Sequence, residues 1–186
     1  QLLFDKILAT SYLKGKLFLF ANRPEFNACE VPKITPEELY EGQNYQALNL
    51  AENYGYLNKI PLEDLEDTYL GRHDIVLLNG VPNDVSVVAG IITTEFQTPL
   101  SHINVLSHNR NTPNMALRDG WENEQLDALL GQLVYLRVAA DSFEIRPATL
   151  TEANAFWAQN EPQDSIILTK NTTLQGLVDL QTADYT

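Results

Sequence analysis

Short apolar runs separated by turn residues dominate the chain between positions 54 and 146. Runs of four to nine residues, rich in Val, Ile, Leu and Tyr, are typical of β-strands. The strands predicted from this pattern cover residues 54–60, 74–78, 85–93, 114–117, 133–138 and 143–146. Asp141-Ser142 between the last two strands predicts a hairpin.

Helical spacing of apolar residues appears between these strands and at both ends of the chain. Strands that alternate with helices favour an α/β layer structure. Helices are predicted at residues 2–13, 36–39, 99–109, 122–130 and 151–159. Thr35 is the expected N-cap of the second and Gly131 ends the fourth. Short strands are predicted at 16–20 and 165–169.

The density of these signals divides the chain into three zones. Residues 1–46 are expected to form an N-terminal extension that packs on the core. Residues 47–147 hold the regular strand pattern and form the predicted main domain. Residues 148–186 contain a helix and a polar connector. Because the chain starts with Gln1 and its one methionine is Met115, we expect it to be part of a longer protein.

Composition narrows the class of partner. The formal net charge is −13, which repels both nucleic acid and anionic membranes. No apolar run approaches the ~18 residues that a membrane-spanning helix needs. The single cysteine, Cys29, excludes an internal disulfide framework and fits a cytoplasmic protein.

The candidate chemistry lies at the start of the predicted helix 99–109. Thr98 is an expected N-cap, Pro99 suits the first turn, and His102 falls within the first turn or so. Unpaired N–H groups and roughly +0.5 charge at a helix N-terminus stabilise a phosphate and favour neutral, nucleophilic imidazole. Residues 96–118 contain no Asp or Glu, so nothing there repels an arriving phosphoryl group.

Simpler explanations of His102 remain open at this point. A histidine at a helix start can be an ordinary surface or capping residue. His102 and His108 are six residues apart and do not share a helix face, so we predict no metal site. Ser101 and His102 point about 100° apart on a helix, which disfavours a hydrolase pair.

Four segments, in order, resemble the mobile phosphohistidine domain of phosphoenolpyruvate-utilising enzymes. That family includes phosphoenolpyruvate synthase, pyruvate phosphate dikinase and, more distantly, the glucan water dikinases. The segments are ALNLAENYGYL (47–57), DIVLLNGVPND (74–84), VVAGIITTEFQTPLSHINVLSHNRNTPNMAL (87–117) and GQLVYLRVAADSFEIRP (131–147). The resemblance covers somewhat over half of the chain.

The resemblance implies a swivelling β/β/α fold in which His102 accepts a phosphoryl group. The donor would be ATP with Mg²⁺, bound to an ATP-grasp domain of the same polypeptide, so no cofactor is expected in this chain. The acceptor would be pyruvate or another substrate. Thr98, Ser101 and Arg110 are the residues expected to contact the phosphoryl group. The chain would then be one domain of a phosphotransferase and inactive alone.

Two rival interpretations remain. Gln97-Thr98 stands where the family has Gly-Gly, and His108 stands at the family's helix-end arginine. These departures allow a degenerate swivelling domain that keeps the fold as an interdomain spacer or binding module. The other rival is an unrelated small α/β binding domain with a different strand order.

Overall fold

The chain adopts a mixed α/β fold, described here for residues 2–12, 15–21, 24–28, 30–98 and 101–160 from a computed structural model. The α-helices are α1 (Leu2–Thr10), α2 (Pro36–Leu39), α3 (His102–Arg110), α4 (Glu124–Asp127) and α5 (Leu150–Asn160). The strands are β1 (Leu19–Phe20), β2 (Lys33–Ile34), β3 (Tyr45–Asn49), β4 (Glu52–Ile60), β5 (Asp74–Leu78), β6 (Gly90–Thr93), β7 (Asn114–Leu117), β8 (Leu133–Val138) and β9 (Phe143–Pro147). Short 3-10 helices cover Pro24–Ala28, Leu62–Asp64 and Gly120–Glu122.

Seven strands form one sheet in the order β3-β7-β6-β5-β4-β8-β9, and β1 pairs with β2 separately. The four central strands β7, β6, β5 and β4 are parallel, whereas β3, β8 and β9 pair antiparallel to their neighbours. The carboxyl ends of the parallel strands therefore meet at one edge of the sheet. In open α/β sheets this carboxyl edge is where ligands bind.

Alternating side chains of β4, β5 and β6 enter two separate apolar clusters. On β5, Ile75 and Leu77 enter the larger cluster, which also receives residues from β8 and α4. Val76 and Leu78 enter the second cluster together with Ile103 of α3. Ile103 is fully buried, and burying such a side chain stabilises the fold by roughly 1.5–3 kcal/mol. The second cluster therefore fixes α3 on one face of the sheet.

The sheet curls until β3 meets the hairpin between β8 and β9. Tyr45 of β3 stacks on Phe143 with 5.7 Å between ring centroids. Its hydroxyl lies 2.6 Å from the Ala139 carbonyl oxygen and 2.8 Å from that of Ser142, so both acceptors share its proton. Burial raises the pKa of Tyr45 to about 12, although the bond to Ala139 acts in the opposite direction. This tyrosine closes the curled sheet.

The prediction of an α/β fold is confirmed, and most strands lie where the pattern placed them. Asp74–Leu78, Asn114–Leu117 and Leu133–Val138 keep their predicted bounds. The last predicted strand ends one residue later, and the hairpin is present because Ala139 N–H donates to the Ser142 carbonyl oxygen at 2.9 Å.

The first half of the predicted strand 85–93 is wrong, because only Gly90–Thr93 joins the sheet. The Arg110 guanidinium donates to the carbonyl oxygens of Val85 and Ser86, at 2.9 and 3.3 Å. Thr112 donates to the Val88 carbonyl oxygen at 3.4 Å. Side chains from α3 and the loop after it thus take bonds that a neighbouring strand would otherwise make.

Two further predictions differ from the structure. The predicted helix 122–130 is a 3-10 turn followed by the single turn of α4. Asn123 divides them, since its side chain accepts bonds from the N–H groups of Gln125 and Leu126. The strand Tyr45–Asn49 was not predicted, so the sheet begins two residues before the expected boundary at 47.

The predicted helices near both ends are present with shifted bounds. α1 ends at Thr10, and the short strand predicted at 16–20 is reduced to Leu19–Phe20. Thr35 does cap α2, since its hydroxyl accepts from Glu38 N–H at 3.2 Å. α5 lies on β4, where Trp157 donates to the Tyr54 carbonyl oxygen at 3.2 Å. The strand predicted at 165–169 lies outside the described residues. No helix of the described ranges has both the length and the apolar character to cross a membrane.

Tyr45→Phe should lower the free energy of unfolding by about 1 kcal/mol at pH 7, because the closing hydrogen bond is lost. The folded-state pKa of Tyr45 is raised from 10 to about 12. The stabilising effect of the Tyr45 hydroxyl is therefore complete below pH 10 and is lost as the pH approaches 12. The difference between wild type and variant, measured by urea denaturation, should therefore shrink from pH 10 to 12.

Tyr135 also has a pKa raised to about 12, by burial and by its bond to Glu52, but it contributes equally to both proteins. Tyr69→Phe is the matched control, since Tyr69 is 93% exposed. A Tyr45→Phe protein as stable as this control would show that the hydroxyl does not close the sheet.

Candidate functional site

The candidate site lies where the chain leaves β6 and enters α3. Residues 94–101 connect the carboxyl end of β6 to the helix, and His102 is the first helical residue. Its side chain is exposed, and no acidic residue occurs in the first turn of α3. His102 thus combines a helix N-terminus with the carboxyl edge of the parallel strands, two positions that favour an anionic ligand.

Ser101, not Thr98, is the N-cap of α3, so the predicted cap is wrong. Ser101 has extended backbone angles (φ −59°, ψ 144°), and its hydroxyl oxygen accepts from Asn104 N–H at 3.3 Å. Thr98 acts one turn earlier, since its carbonyl oxygen accepts from Ser101 N–H at 3.0 Å. Pro99 and Leu100, at the predicted helix start, lie outside the described residues. The later start moves His102 to the first position of the helix.

Gln97 connects the strand to the helix cap. The side chain is 2% exposed, and its amide nitrogen donates to the Thr93 hydroxyl at 3.1 Å. Its amide oxygen accepts from the Ser101 hydroxyl, also at 3.1 Å. A buried carboxamide with both ends bonded holds the last residue of β6 and the cap of α3 in a fixed relation.

Arg110 does not reach His102. It is the last residue of α3, about 12 Å along the axis from the first at the usual rise per residue. Its guanidinium instead holds the backbone of Val85 and Ser86, as described above. The structure brings Ser101 and Thr98 to the histidine's end of the helix and places Arg110 at the other end.

Arg118 is a cation near the site that the sequence pattern did not single out. It follows β7 directly, and its guanidinium lies 4.8 Å from the ring centre of Phe96, in the loop before α3. Tyr40 contacts the same ring edge-on at 4.8 Å. On β7, Asn114 faces α3, and strand alternation continued to position 118 places the arginine on this face as well.

Arg118 has no carboxylate partner among the described residues. Its neighbour Asp119 accepts from the Asn44 amide at 2.8 Å, and none of the ion pairs of the described residues includes Arg118. The side chain is exposed. Arg118 therefore offers an uncompensated positive charge at the carboxyl edge. It could fill the role that was expected of Arg110.

A buried polar layer orients α3 on the sheet. Asn49 donates to the carbonyl oxygens of Ser107 and Thr112, at 3.1 and 2.8 Å. The Asn114 side-chain amide nitrogen donates to the Ser107 hydroxyl at 3.2 Å. The amide oxygen of the same side chain, Oδ1, is the one buried polar side-chain atom of the described residues without a hydrogen bond. These directional bonds restrict rotation of the helix more than apolar contact alone would.

His102 does not line the cleft that the structure shows at the far end of α3. That cleft, of about 730 Å³, is lined by residues between Leu62 and Val87 together with Arg110. In the described part of the chain, no three His, Cys, Asp or Glu side chains are grouped so that they could hold a metal ion. The arrangement can present the exposed imidazole to a partner.

Comparison with protein-family models and with curated proteins found no match to this chain.

Ser101→Ala should lower the free energy of unfolding by about 1–2 kcal/mol, because the helix loses its cap and the buried Gln97 oxygen loses its donor. Ser86→Ala, at an exposed loop position, should stay within about 0.5 kcal/mol of wild type. Urea denaturation measures both. Equal stability of the two variants would contradict the assignment of Ser101 as the cap.

Proposed function

We propose that the chain is the phosphoryl-carrier domain of a multidomain ATP-dependent phosphotransferase, with His102 as the acceptor. The supporting observation is the placement of His102: exposed, first in α3, at the carboxyl edge, with no carboxylate in the first helical turn. A carrier has to present its nucleophile to two partners in turn, and this position is reachable from outside. The segments that resemble the phosphohistidine family contain this histidine.

The swivelling β/β/α fold belongs to the same proposal. Four parallel strands with α3 on one face and a curled, partly antiparallel remainder are compatible with such a domain. Residues 148–186 would connect it to an ATP-grasp domain of the same polypeptide, and residues 1–46 would precede it. ATP and Mg²⁺ would bind in that partner, and pyruvate or another acceptor would bind at a second site.

The transfer itself needs little from this chain beyond position and charge. The unprotonated ring nitrogen of His102 attacks phosphorus, an N–P bond forms, and the P–O bond to the nucleotide breaks with its electrons on the leaving oxygen. The other ring nitrogen releases its proton to solvent. The positive end of the α3 dipole and the guanidinium of Arg118 would stabilise the charge that the phosphoryl group brings.

A second candidate function is supported by the hydrogen bonds that the Ser101 hydroxyl already makes within the fold. Its hydroxyl donates to Gln97 and accepts from Asn104, and Arg110 is at the far end of the helix. Two of the expected phosphoryl contacts are therefore committed to the fold. A degenerate domain that serves as a spacer or binding module would show the same arrangement, and phosphorylation of His102 distinguishes the two.

With its natural ATP-grasp domain and labelled ATP, the protein should gain an acid-labile, base-stable label, as a phosphoramidate linkage does. His102→Ala should abolish the label and His108→Ala should leave most of it, since His108 lies at the other end of α3. Both variants should fold, because exposed histidines contribute little to the core. The purified chain alone should hydrolyse no ATP. Normal labelling of His102→Ala would exclude the carrier function and favour the degenerate domain.

Arg118→Gln should slow phosphorylation of His102 by phosphoramidate, a small donor that needs no partner domain. We expect a two- to fivefold decrease in rate, because an exposed ion pair contributes up to ~1 kcal/mol. Arg137→Gln is the matched control, an exposed arginine on β8. Labelling can be followed by phosphorus NMR. Equal rates in the two variants would remove Arg118 from the site.

A further inference from the structure

We infer that Gln46 and Gln97 form an amide latch that positions His102 for phosphoryl transfer. This inference rests on the proposed function and extends it to two residues that do not touch the phosphoryl group. Both are positioning residues, acting through the cap of α3. At position 97 the resembled family has glycine, so the latch is a feature of this chain and does not follow from the resemblance.

The first half of the latch is the contact of Gln46 with the backbone of Gln97. The Gln46 amide oxygen accepts from Gln97 N–H at 2.8 Å, and its amide nitrogen donates to the Gln97 carbonyl oxygen at 2.9 Å. A carboxamide that bonds both groups of one residue imitates the pairing of a neighbouring strand. Tyr40 donates to the same carbonyl oxygen at 3.2 Å. Two residues from before the predicted boundary at 47 thus hold the loop that leads to His102.

The second half is the side chain of Gln97, whose orientation the neighbouring groups determine. The Thr93 hydroxyl gives its proton to the Glu95 carbonyl oxygen, at 2.9 Å, so it can only accept from the Gln97 amide nitrogen. The Ser101 hydroxyl oxygen accepts from Asn104 N–H, so its proton is available for the Gln97 amide oxygen. Each donor meets one acceptor, and reversing the amide would lose both bonds.

A direct path of hydrogen bonds therefore connects β3 to the first turn of α3. Gln46 fixes the Gln97 backbone, the Gln97 side chain fixes Ser101, and His102 follows Ser101 in the chain. Removing either amide should leave the helix folded, because Ile103 and the polar layer still bind it to the sheet. The loss should instead widen the range of positions that the His102 ring samples, and misplacement by ~1 Å can cost up to ~100-fold in rate.

The test replaces each glutamine by methionine, which keeps the side-chain length and removes the hydrogen bonds. Gln132→Met is the matched control, because Gln132 is an exposed glutamine bonded only to the nearby Ala128 carbonyl oxygen by its side chain. Two quantities are measured on the full chain. One is hydrogen exchange of the Gln97 amide. The other is the ratio of phosphoramidate labelling rates at His102 and His108, two exposed histidines of one helix.

We expect Gln97 amide exchange about tenfold faster in Gln46→Met, corresponding to one hydrogen bond, and unchanged in Gln132→Met. The ratio of His102 to His108 labelling should fall about tenfold in Gln46→Met and Gln97→Met. General loosening of the fold would raise labelling at both histidines and leave the ratio unchanged, which would overturn the inference. A protected Gln97 amide in Gln46→Met would overturn it as well.

The failure of the proposed function has a different signature. If the natural ATP-grasp domain and labelled ATP do not label wild-type His102, the carrier proposal fails, whatever the variants do. Amide exchange then decides the latch alone: faster exchange in Gln46→Met supports a latch on the α3 cap, and unchanged exchange refutes it.

Discussion

The position of α3 on the sheet is the constraint on which the site depends. Ile103, the residue after His102, enters the second apolar cluster, so a large displacement of the histidine backbone would disturb a fully buried side chain. The parallel arrangement of β6 and β7 then determines direction. A helix that connects two parallel neighbours has to start at the carboxyl edge and end at the amino edge. The positive end of α3 and the exposed ring consequently share the edge at which a ligand can approach.

Hydrogen bonds, more than apolar area, give this helix its orientation. Ile103 is the one buried apolar residue of α3. Between the helix and the sheet, the buried side chains of Asn49, Ser107 and Asn114 lie where leucine or valine would usually pack. A buried polar layer lowers the stability of the fold when its hydrogen bonds are not made, and it selects one orientation of the helix when they are made. At the C-terminal end of α3, hydrogen bonds also hold the helix, because Arg110 binds the carbonyl oxygens of Val85 and Ser86. The helix is thereby joined to β3 and β7 through Ser107 and to the loop before β6 through Arg110.

Local pattern was enough to predict the fold class and much of the sheet, because buried parallel strands are continuous apolar runs such as Asp74–Leu78. It failed where long-range bonds override local preference. Residues 85–89 have strand composition, yet Arg110 and Thr112 take their carbonyl oxygens. The exposure of His102 at a helix start was predictable. Gln46 was not, because it meets Gln97 across 51 residues of sequence and has an unremarkable polar side chain.

Charge explains why the proposed phosphoryl transfer would need a partner. An exposed imidazole works in a high dielectric, where the helix N-terminus and one guanidinium each contribute at most ~1 kcal/mol to transition-state stabilisation, far less than enzymatic transfer needs. The chain carries a net charge of −13, so a free nucleotide is repelled at long range even though residues 96–118 contain no Asp or Glu. A partner that supplies Mg²⁺ and covers the carboxyl edge removes both obstacles together, by excluding water and neutralising the phosphates. If His102 is a phosphoryl acceptor, the absence of Asp and Glu from residues 96–118 matters most within that complex. There, solvent could no longer screen the repulsion between an added carboxylate and the phosphoryl group.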